Sequence, residues 1–270
     1  MNNLEKTKNK EYDFFVSLGG NCAAAGQLIQ RGLRKQAMPF DNFFLRNEQD
    51  IQKFMKAFEN DFEDCFLKEN LRELLPEERG NSTWYQYQDM VSGYNIIHLF
   101  HESINVFGVY EEAKATINRR LKRFYEFCEK ANSICFVFTS ERDYDNELAI
   151  SILEMLKKRF SNKVIHLLCI FFDSTNDDYI SEELEIHRIH RKANEYDYYR
   201  SNIEWLFMED YKLSVKEIKQ KKEYKLIDIH RIKRGLSLSI LPFLFSVIML
   251  KLYLFGLSFN FSIGRFRKDK

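Results

Sequence analysis

Two apolar segments of strand length constrain the fold of this 270-residue chain more than any other feature. Their sequences are SICFVFTS (133–140) and VIHLLCIFF (164–172), with many β-branched and aromatic side chains. Such runs are typical of strands that are buried on both faces, as in parallel sheets. The sequence NELAISILEMLKKRF between them has the length and pattern of a helix. This region therefore predicts a β-α-β unit with parallel strands.

The first third of the chain extends this pattern. The sequence YDFFVSLGG (12–20) predicts a further buried strand that ends in two glycines, and CAAAGQLIQRGLRK predicts the helix that follows it. Helices are also predicted over about 48–62, where apolar residues recur at helical spacing, and over about 110–131. We therefore expect an α/β fold over residues 12–211, with a mostly parallel central sheet flanked by helices.

The remaining segment, residues 212–270, differs in composition. It contains 14 basic and 4 acidic residues, a net charge of +10, so the rest of the chain is acidic. A helix drawn through residues 236–264 is hydrophobic on all sides, although Pro242 and Lys251 interrupt it. We expect an apolar helical appendage that either contacts the anionic inner face of a membrane or is buried in the core or a dimer interface.

The cysteine count and the charge distribution argue against several classes of protein. Five cysteines without regular close spacing disfavour a disulfide framework and a zinc site, which favours a cytoplasmic location. The polar N-terminus has no apolar signal-peptide core. We expect no metal and no cofactor, because no motif for either is found. The acidic folded portion also disfavours nucleic-acid binding.

Cys22 is the first candidate for chemistry, because it stands where the predicted strand turns into the predicted helix. Unpaired N–H groups and the helix dipole stabilise a thiolate there, and the same groups, with Gly20 and the Asn21 side chain, could hold an oxyanion. Two alternatives remain open. Cys22 could be a compact packing residue, or the turn could bind phosphate, although GGNC lacks both the GxGxxG pattern and a Walker lysine.

The histidines supply few candidates for a base. The sequence YNIIHLFHE predicts a strand that ends at His101 and Glu102, a position where α/β folds carry functional groups. On that strand His98 and His101 would point to opposite faces and could not easily share a metal ion. Asp41, in MPFDNF, could orient His101, bind a substrate group or cap a turn. The other residues of these types are expected in the core (Cys65, Cys128, Cys135, Cys169, His166), on a solvated face (His187, His190) or in the basic tail (His230).

Three blocks of this sequence resemble a bacterial family known as putative papain-like cysteine peptidases. They are FVSLGGNCAAAGQLIQRGLRKQAMPFDNF, FHES, and INRRLKRFYEF leading into ICFVF. The resemblance implies that Cys22 is the nucleophile and His101 the general base, with Asp41 and Glu102 as acidic partners. The family usually has PFDW and FxHD, where this chain has PFDN and FHE. The family's association with surface polysaccharide biosynthesis leaves open a transferase or hydrolase that acts on an envelope precursor, so the substrate is a peptide, an amide or a glycan precursor that the sequence does not identify.

Three functions follow from these observations. The first is a cysteine peptidase or a related thiol hydrolase or acyltransferase that uses Cys22 and His101. The second is a transferase or accessory protein of surface polysaccharide biosynthesis, in which Arg119, Arg120 and Arg123 support the phosphate of an activated sugar unless they form a solvated helical face. The third is a non-catalytic adaptor tethered to a membrane by its tail.

Overall fold

A computed structural model describes residues 10–79, 83–190 and 205–214 of the chain. Within these ranges it contains eleven strands and four α-helices. The strands are β1 (Lys10–Tyr12), β2 (Phe14–Ser17), β3 (Phe43–Phe44), β4 (Leu71–Glu73), β5 (Tyr87–Asp89), β6 (Asn95–Ile96), β7 (Ser133–Ser140), β8 (Val164–Phe172), β9 (Tyr179–Ile180), β10 (Leu184–Ile189) and β11 (Tyr211–Leu213). The helices are α1 (Cys22–Gln30), α2 (Glu48–Glu59), α3 (Val109–Lys130) and α4 (Asn146–Arg159).

The central sheet has five strands in the order β2-β7-β8-β10-β9. The first four are parallel, and β9 pairs antiparallel with β10 at one edge. Strands β7 and β8 are joined by α4 and are buried along most of their length, because their apolar side chains face helices or neighbouring chain on both sides. The predicted α/β class and the mostly parallel sheet flanked by helices are confirmed.

A second sheet, antiparallel and in the order β3-β6-β5-β4, comes from the chain between α1 and α3. Its aromatic residues join α2, α3 and one face of the central sheet in a single large core. Phe40 stacks on Tyr94 at 5.4 Å between ring centroids and packs against Phe54 and Phe124. The opposite face of the central sheet is covered by α1 and by residues around Trp205 and Tyr211.

One prediction of secondary structure and one prediction of exposure are wrong. The predicted strand through His101 is the two-residue β6, because the chain leaves the sheet at Ile97 and His98 adopts a left-handed backbone with φ 68°. The charged sequence EIHRIH is part of β10, a strand that pairs with β8, so His187 is half-buried and only His190 is exposed. His166 is buried on β8, as predicted.

The predicted membrane contact through residues 236–264 lies outside the described residues, as does His230. None of the helices in the described ranges combines the length and the apolar character that a transmembrane span requires.

Candidate functional site

Cys22 is the first residue of α1 and lies at the carboxyl edge of the central sheet. The carboxyl ends of β2 and β7 meet there, because the two strands are parallel and Ser17 is paired with Val137. The turn between β2 and α1 continues the pairing, with Leu18 N–H donating to Val137 O at 2.8 Å and Thr139 N–H donating to Gly19 O at 3.2 Å. This edge is where open α/β folds bind their ligands.

Gly20 allows the backbone of this turn to pack directly against the backbone at the end of β7. Its φ is +93°, and a Cβ atom there would lie 1.4 Å from the carbonyl oxygen of Thr139. Its N–H donates to Phe43 O at 3.0 Å, and the Tyr94 hydroxyl donates to Leu18 O at 2.6 Å. The turn is thus fixed by the central sheet on one side and by the second sheet on the other. Because the Gly20 N–H is used in this way, Gly20 forms the turn rather than supplying a free amide.

Asn21 is the N-cap of α1 and is completely buried. Its Oδ1 accepts from the Ala23 N–H at 2.9 Å, and its own N–H donates to Thr139 Oγ1 at 3.1 Å. Thr139 Oγ1 also lies 3.0 Å from Asn21 Oδ1. The side-chain nitrogen, Asn21 Nδ2, is buried and has no hydrogen-bond partner within the part of the chain that the structure describes. A buried donor of this kind is rare, because it costs desolvation energy that nothing returns.

Cys22 differs from the other four cysteines in its exposure. It is partly exposed, whereas Cys65, Cys128, Cys135 and Cys169 are buried, as predicted for packing residues. Burial raises the pKa of the Cys65 thiol to about 12, and it also raises the pKa values of the other three buried thiols. At neutral pH these four cysteines are therefore protonated and inaccessible, so Cys22 is the cysteine available for chemistry.

His101 is exposed and lies in the loop between β6 and α3. The loop is anchored on Tyr87 of β5, whose ring packs on Phe100 at 4.7 Å and whose hydroxyl accepts from the Ile104 N–H at 3.1 Å. The His101 ring contacts Trp84 edge to face, with 4.8 Å between centroids.

His98 contacts the same indole at 5.2 Å. Burial lowers the pKa of His98, and the nearby charge of His101 lowers it further. The two imidazoles therefore lie close together, and they do not point to opposite faces of a strand as predicted.

The two acidic candidates lie in different surroundings. Glu102 is exposed, next to His101, and has no hydrogen bond or ion pair with the described residues. Asp41 is buried, with Oδ1 paired to Arg34 Nη1 and Oδ2 accepting from the Met38 N–H at 2.8 Å. These contacts match the turn-capping alternative for Asp41. The structure places Cys22, Asn21 and Gly20 in one turn and His101 with Glu102 in one loop, and contact between the two groups stays a prediction.

Two residues near these candidates were missed in the sequence. Trp84 precedes His101 by 17 residues (101 − 84) and contacts it from another loop, so no local spacing reveals it. Arg34 follows α1 and pairs with Asp41. No sequence motif marks this pair, because the contacts of Arg34 depend on how the buried backbone around it folds. No three His, Cys, Asp or Glu side chains within the described ranges are arranged to hold a metal ion.

The fold and the partly exposed Cys22 define an α/β protein with a thiol at a helix N-terminus on the carboxyl edge of a mostly parallel sheet. The chain belongs to the family described as "Putative papain-like cysteine peptidase (DUF1796)", whose match covers residues 13–173, more than half of its length. No curated protein and no solved structure matches it.

Proposed function

We propose that the protein is a papain-like cysteine hydrolase or acyltransferase in which Cys22 is the nucleophile and His101 the general base. The observation that carries the proposal is the placement of Cys22, the one cysteine of the chain that is not buried, at the first position of a capped helix. The family match supports the reaction class. The substrate is a peptide, an amide or a glycan precursor with an amide or ester bond.

The turn supplies groups suited to acyl transfer. The helix N-terminus favours the thiolate of Cys22 over the thiol. Asn21 Nδ2, a buried donor with no partner among the described residues, would donate to the oxyanion that forms when the thiolate attacks a carbonyl carbon. The Ala23 N–H already donates to Asn21 Oδ1, so the remaining amides of the first turn would complete the oxyanion site.

The proton moves between sulfur and imidazole. In the proposed reaction His101 takes the proton from Cys22, and the imidazolium returns it to the leaving amine or alcohol as the acyl-thioester forms. Water, or an acceptor nucleophile, then attacks the thioester and releases the thiolate. Trp84 covers one edge of the His101 ring, and Glu102 is the adjacent carboxylate that could stabilise the imidazolium. The contact of His101 with Cys22 is the geometric requirement of this scheme.

The rate of alkylation by iodoacetamide as a function of pH tests the proposal. Wild-type Cys22 should react well below pH 8.5, the ordinary thiol pKa, because the thiolate is stabilised. The four buried cysteines should stay unmodified in the folded protein. His101→Gln should move the alkylation midpoint of Cys22 up toward 8.5.

His190→Gln is the matched control, since His190 is also exposed but lies at the end of β10. It should leave the midpoint where it is in the wild type. An unshifted Cys22 midpoint in the wild type would refute the activated thiol. An effect of His190→Gln equal to that of His101→Gln would refute the role of His101.

A transferase or accessory role in surface polysaccharide biosynthesis is the second proposal. It is supported by Arg120 and Arg123 of α3, which are half-buried and therefore not on a fully solvated face, whereas Arg119 is exposed. An activated sugar carries phosphate, which arginine binds well. A non-catalytic adaptor is the third. Complementation of a gene deletion by a Cys22→Ala, His101→Ala double variant separates it from the two enzymes, because only an adaptor retains its function without either residue.

A further inference from the structure

Three rings from two loops contact one another beside the proposed base. The indole of Trp84 contacts the ring of His98 at 5.2 Å and the ring of His101 at 4.8 Å between centroids, with interplanar angles of 88° and 74°. Such near-perpendicular contacts bring the edge of one ring against the face of another and are favourable. Because both imidazoles contact the same indole, the orientations of the three rings depend on one another.

The loop that carries His101 is fixed at the backbone on both sides of this residue. Phe100 is buried and packs on Tyr87, and the Ile104 N–H donates to the Tyr87 hydroxyl at 3.1 Å. The His101 side chain itself is exposed, and the ring contact that the structure describes for it is the one with Trp84. The orientation of this imidazole therefore depends on what holds the indole.

Trp84 is held at its backbone by Arg79 and at its ring by His98. Arg79 Nη1 donates to Trp84 O at 3.3 Å, which fixes the backbone but not the rotation about the side-chain bonds. The contact with His98 acts on the indole itself and restricts that rotation.

His98 has a backbone conformation that most side chains disfavour. The residue before it, Ile97, ends the pairing with the β3 segment, since its N–H donates to Asn42 O at 3.3 Å. His98 then adopts a φ of 68°, in the left-handed region where glycine is free of strain and histidine is only tolerated. A turn by itself is served best by glycine, so the contact with Trp84 is what the histidine side chain adds here.

We infer that His98 is a positioning residue for His101: its ring fixes the indole of Trp84, and the indole fixes the orientation of the His101 imidazole. The inference rests on the proposed function, in which that imidazole takes the proton of Cys22. His98 does not touch the reacting atoms in this scheme, because it acts through Trp84.

The charge state of His98 suits this role. Partial desolvation lowers its pKa, and the charge of His101 lowers it further, so His98 is mainly neutral at pH 7. A neutral ring packs against Trp84 without opposing the positive charge that His101 acquires in the proposed reaction.

NMR of the His101 ring protons in the full chain tests the contact directly. The ring current of the indole should displace these signals from their positions in the urea-unfolded chain. His98→Gly should move them back toward the unfolded positions, because the indole loses its support while glycine keeps the backbone conformation without strain. His98→Phe retains a ring and should retain the displacement.

Asp64→Gly is the matched control for the backbone. Asp64 also has a left-handed conformation, with φ 60°, but it lies in the segment between α2 and β4. This substitution should leave the His101 signals where they are in the wild type.

The pH midpoint of Cys22 alkylation tests the consequence for the reaction. His98→Gly should raise the midpoint in the same direction as His101→Gln, with a roughly threefold to tenfold lower rate below the midpoint, because a misoriented imidazole stabilises the thiolate less. His98→Phe and Asp64→Gly should keep the wild-type midpoint. A purely structural role of His98 predicts the opposite result, a lower stability in urea with an unchanged midpoint.

Unchanged His101 signals in His98→Gly would overturn the inference. A wild-type midpoint in His98→Gly would also overturn it, provided that His101→Gln raises the midpoint. An unchanged midpoint in His101→Gln would instead refute the role of His101 as the base, and the inference would fall with it. If His98→Gly does not fold, His98→Asn takes its place in both measurements, since asparagine also tolerates the left-handed region and has no ring.

Discussion

At the scale of residues, the pair His98 and His101 shows how a loop changes the chemistry that a sequence pattern suggests. In an extended strand the two rings would face away from each other. The left-handed backbone at His98 instead turns the chain so that both rings contact Trp84. The neighbouring charge of His101 adds to the lowering of the His98 pKa, which favours the neutral form of His98.

We predict that His98 titrates at a lower pH in the folded protein than in the urea-unfolded chain, as measured by NMR of the ring protons. Burial is the main cause, and the charge of His101 is the second. Because the folded pKa is lowered, this residue contributes stability at pH values above about 6.5 that is lost as the pH falls below it.

His101→Gln should raise the His98 midpoint, because it removes the neighbouring positive charge, and His190→Gln should not. A His98 midpoint that is equal in the folded and the unfolded chain would contradict the partial desolvation of this ring beside Trp84.

The sequence identified some of the residues at the candidate site but not their partners. Cys22 could be found because the strand, the glycines and the helix that surround it are contiguous in the chain. The pairing of Asp41 with Arg34 could not, because it depends on how the segment after α1 folds back on itself. The contact of Trp84 with His101 joins two loops whose conformations are set by the second sheet.

At the scale of elements, two glycines of the α1 region differ in whether the structure requires them: the one in the turn before the helix is required, and the one on the exposed face of the helix is not. Gly20 is packed against the backbone of Thr139, whereas a Cβ atom on Gly26 would have no atom within 4 Å. Gly26 is in the middle of α1, where glycine lowers helix stability, and it lies one turn after Cys22 on the same side of the helix. The face that carries Cys22 is therefore open at that point.

We predict that Gly20→Ala lowers the free energy of unfolding by more than about 4 kcal/mol, because the methyl group collides with backbone and the φ value is strained. Gly26→Ala is the matched substitution in the same region and should raise the free energy of unfolding by about 0.5–1 kcal/mol. Urea denaturation of both variants measures the two changes. Similar effects of the two substitutions would contradict the packing described for the turn.

The elements that the sequence predicted well are those whose partners are apolar. Strands β7 and β8 and helix α4 bury apolar side chains, which can pack against any apolar neighbour. Their hydrophobic pattern is therefore enough to predict the elements without knowledge of their partners. Strand β10 was missed because one face of it carries Glu185 and His187. Those two polar residues are accommodated by partners from β1 and from residues around Phe207, which are far away in the chain.

At the scale of the whole molecule, Glu185 connects distant parts of the fold. This carboxylate is 2% exposed, is paired with Lys10 of β1, and lies 3.2 Å from His187 Nε2. His166 on β8 donates to or accepts from the Tyr211 hydroxyl at 3.1 Å, which adds β11 to the network. The two ends of the described chain are thus attached to the central sheet through one buried acid and its partners.

We predict that Glu185 is a main source of acid sensitivity. Burial by itself would raise its pKa, but hydrogen bonds from His187 and Lys10 and the charge of Lys10 outweigh burial and lower the pKa to about 2. Because the folded pKa is below the unfolded value of 4.5, the stabilisation is complete above pH 4.5 and is lost as the pH falls toward 2.

Glu185→Gln should therefore lower the free energy of unfolding by about 3–5 kcal/mol at pH 7 and by much less near pH 2, as measured by urea denaturation. Glu182→Gln, which changes an exposed carboxylate two positions after β9, is the control and should leave the stability nearly unchanged. A difference between Glu185→Gln and the wild type that does not depend on pH would contradict the assignment.

The hydrogen bond from the Tyr94 hydroxyl to Leu18 O connects the two sheets just ahead of Cys22. The thiol is carried by one sheet and the imidazole by a loop of the other, so their alignment depends on how firmly the two halves are held together. Loosening that junction by a fraction of an ångström would leave secondary structure intact and would separate the two groups that the proposed reaction brings together. If Cys22 and His101 react as proposed, the protein is expected to lose turnover on warming before it unfolds, and its heat sensitivity would arise at the junction of the two sheets.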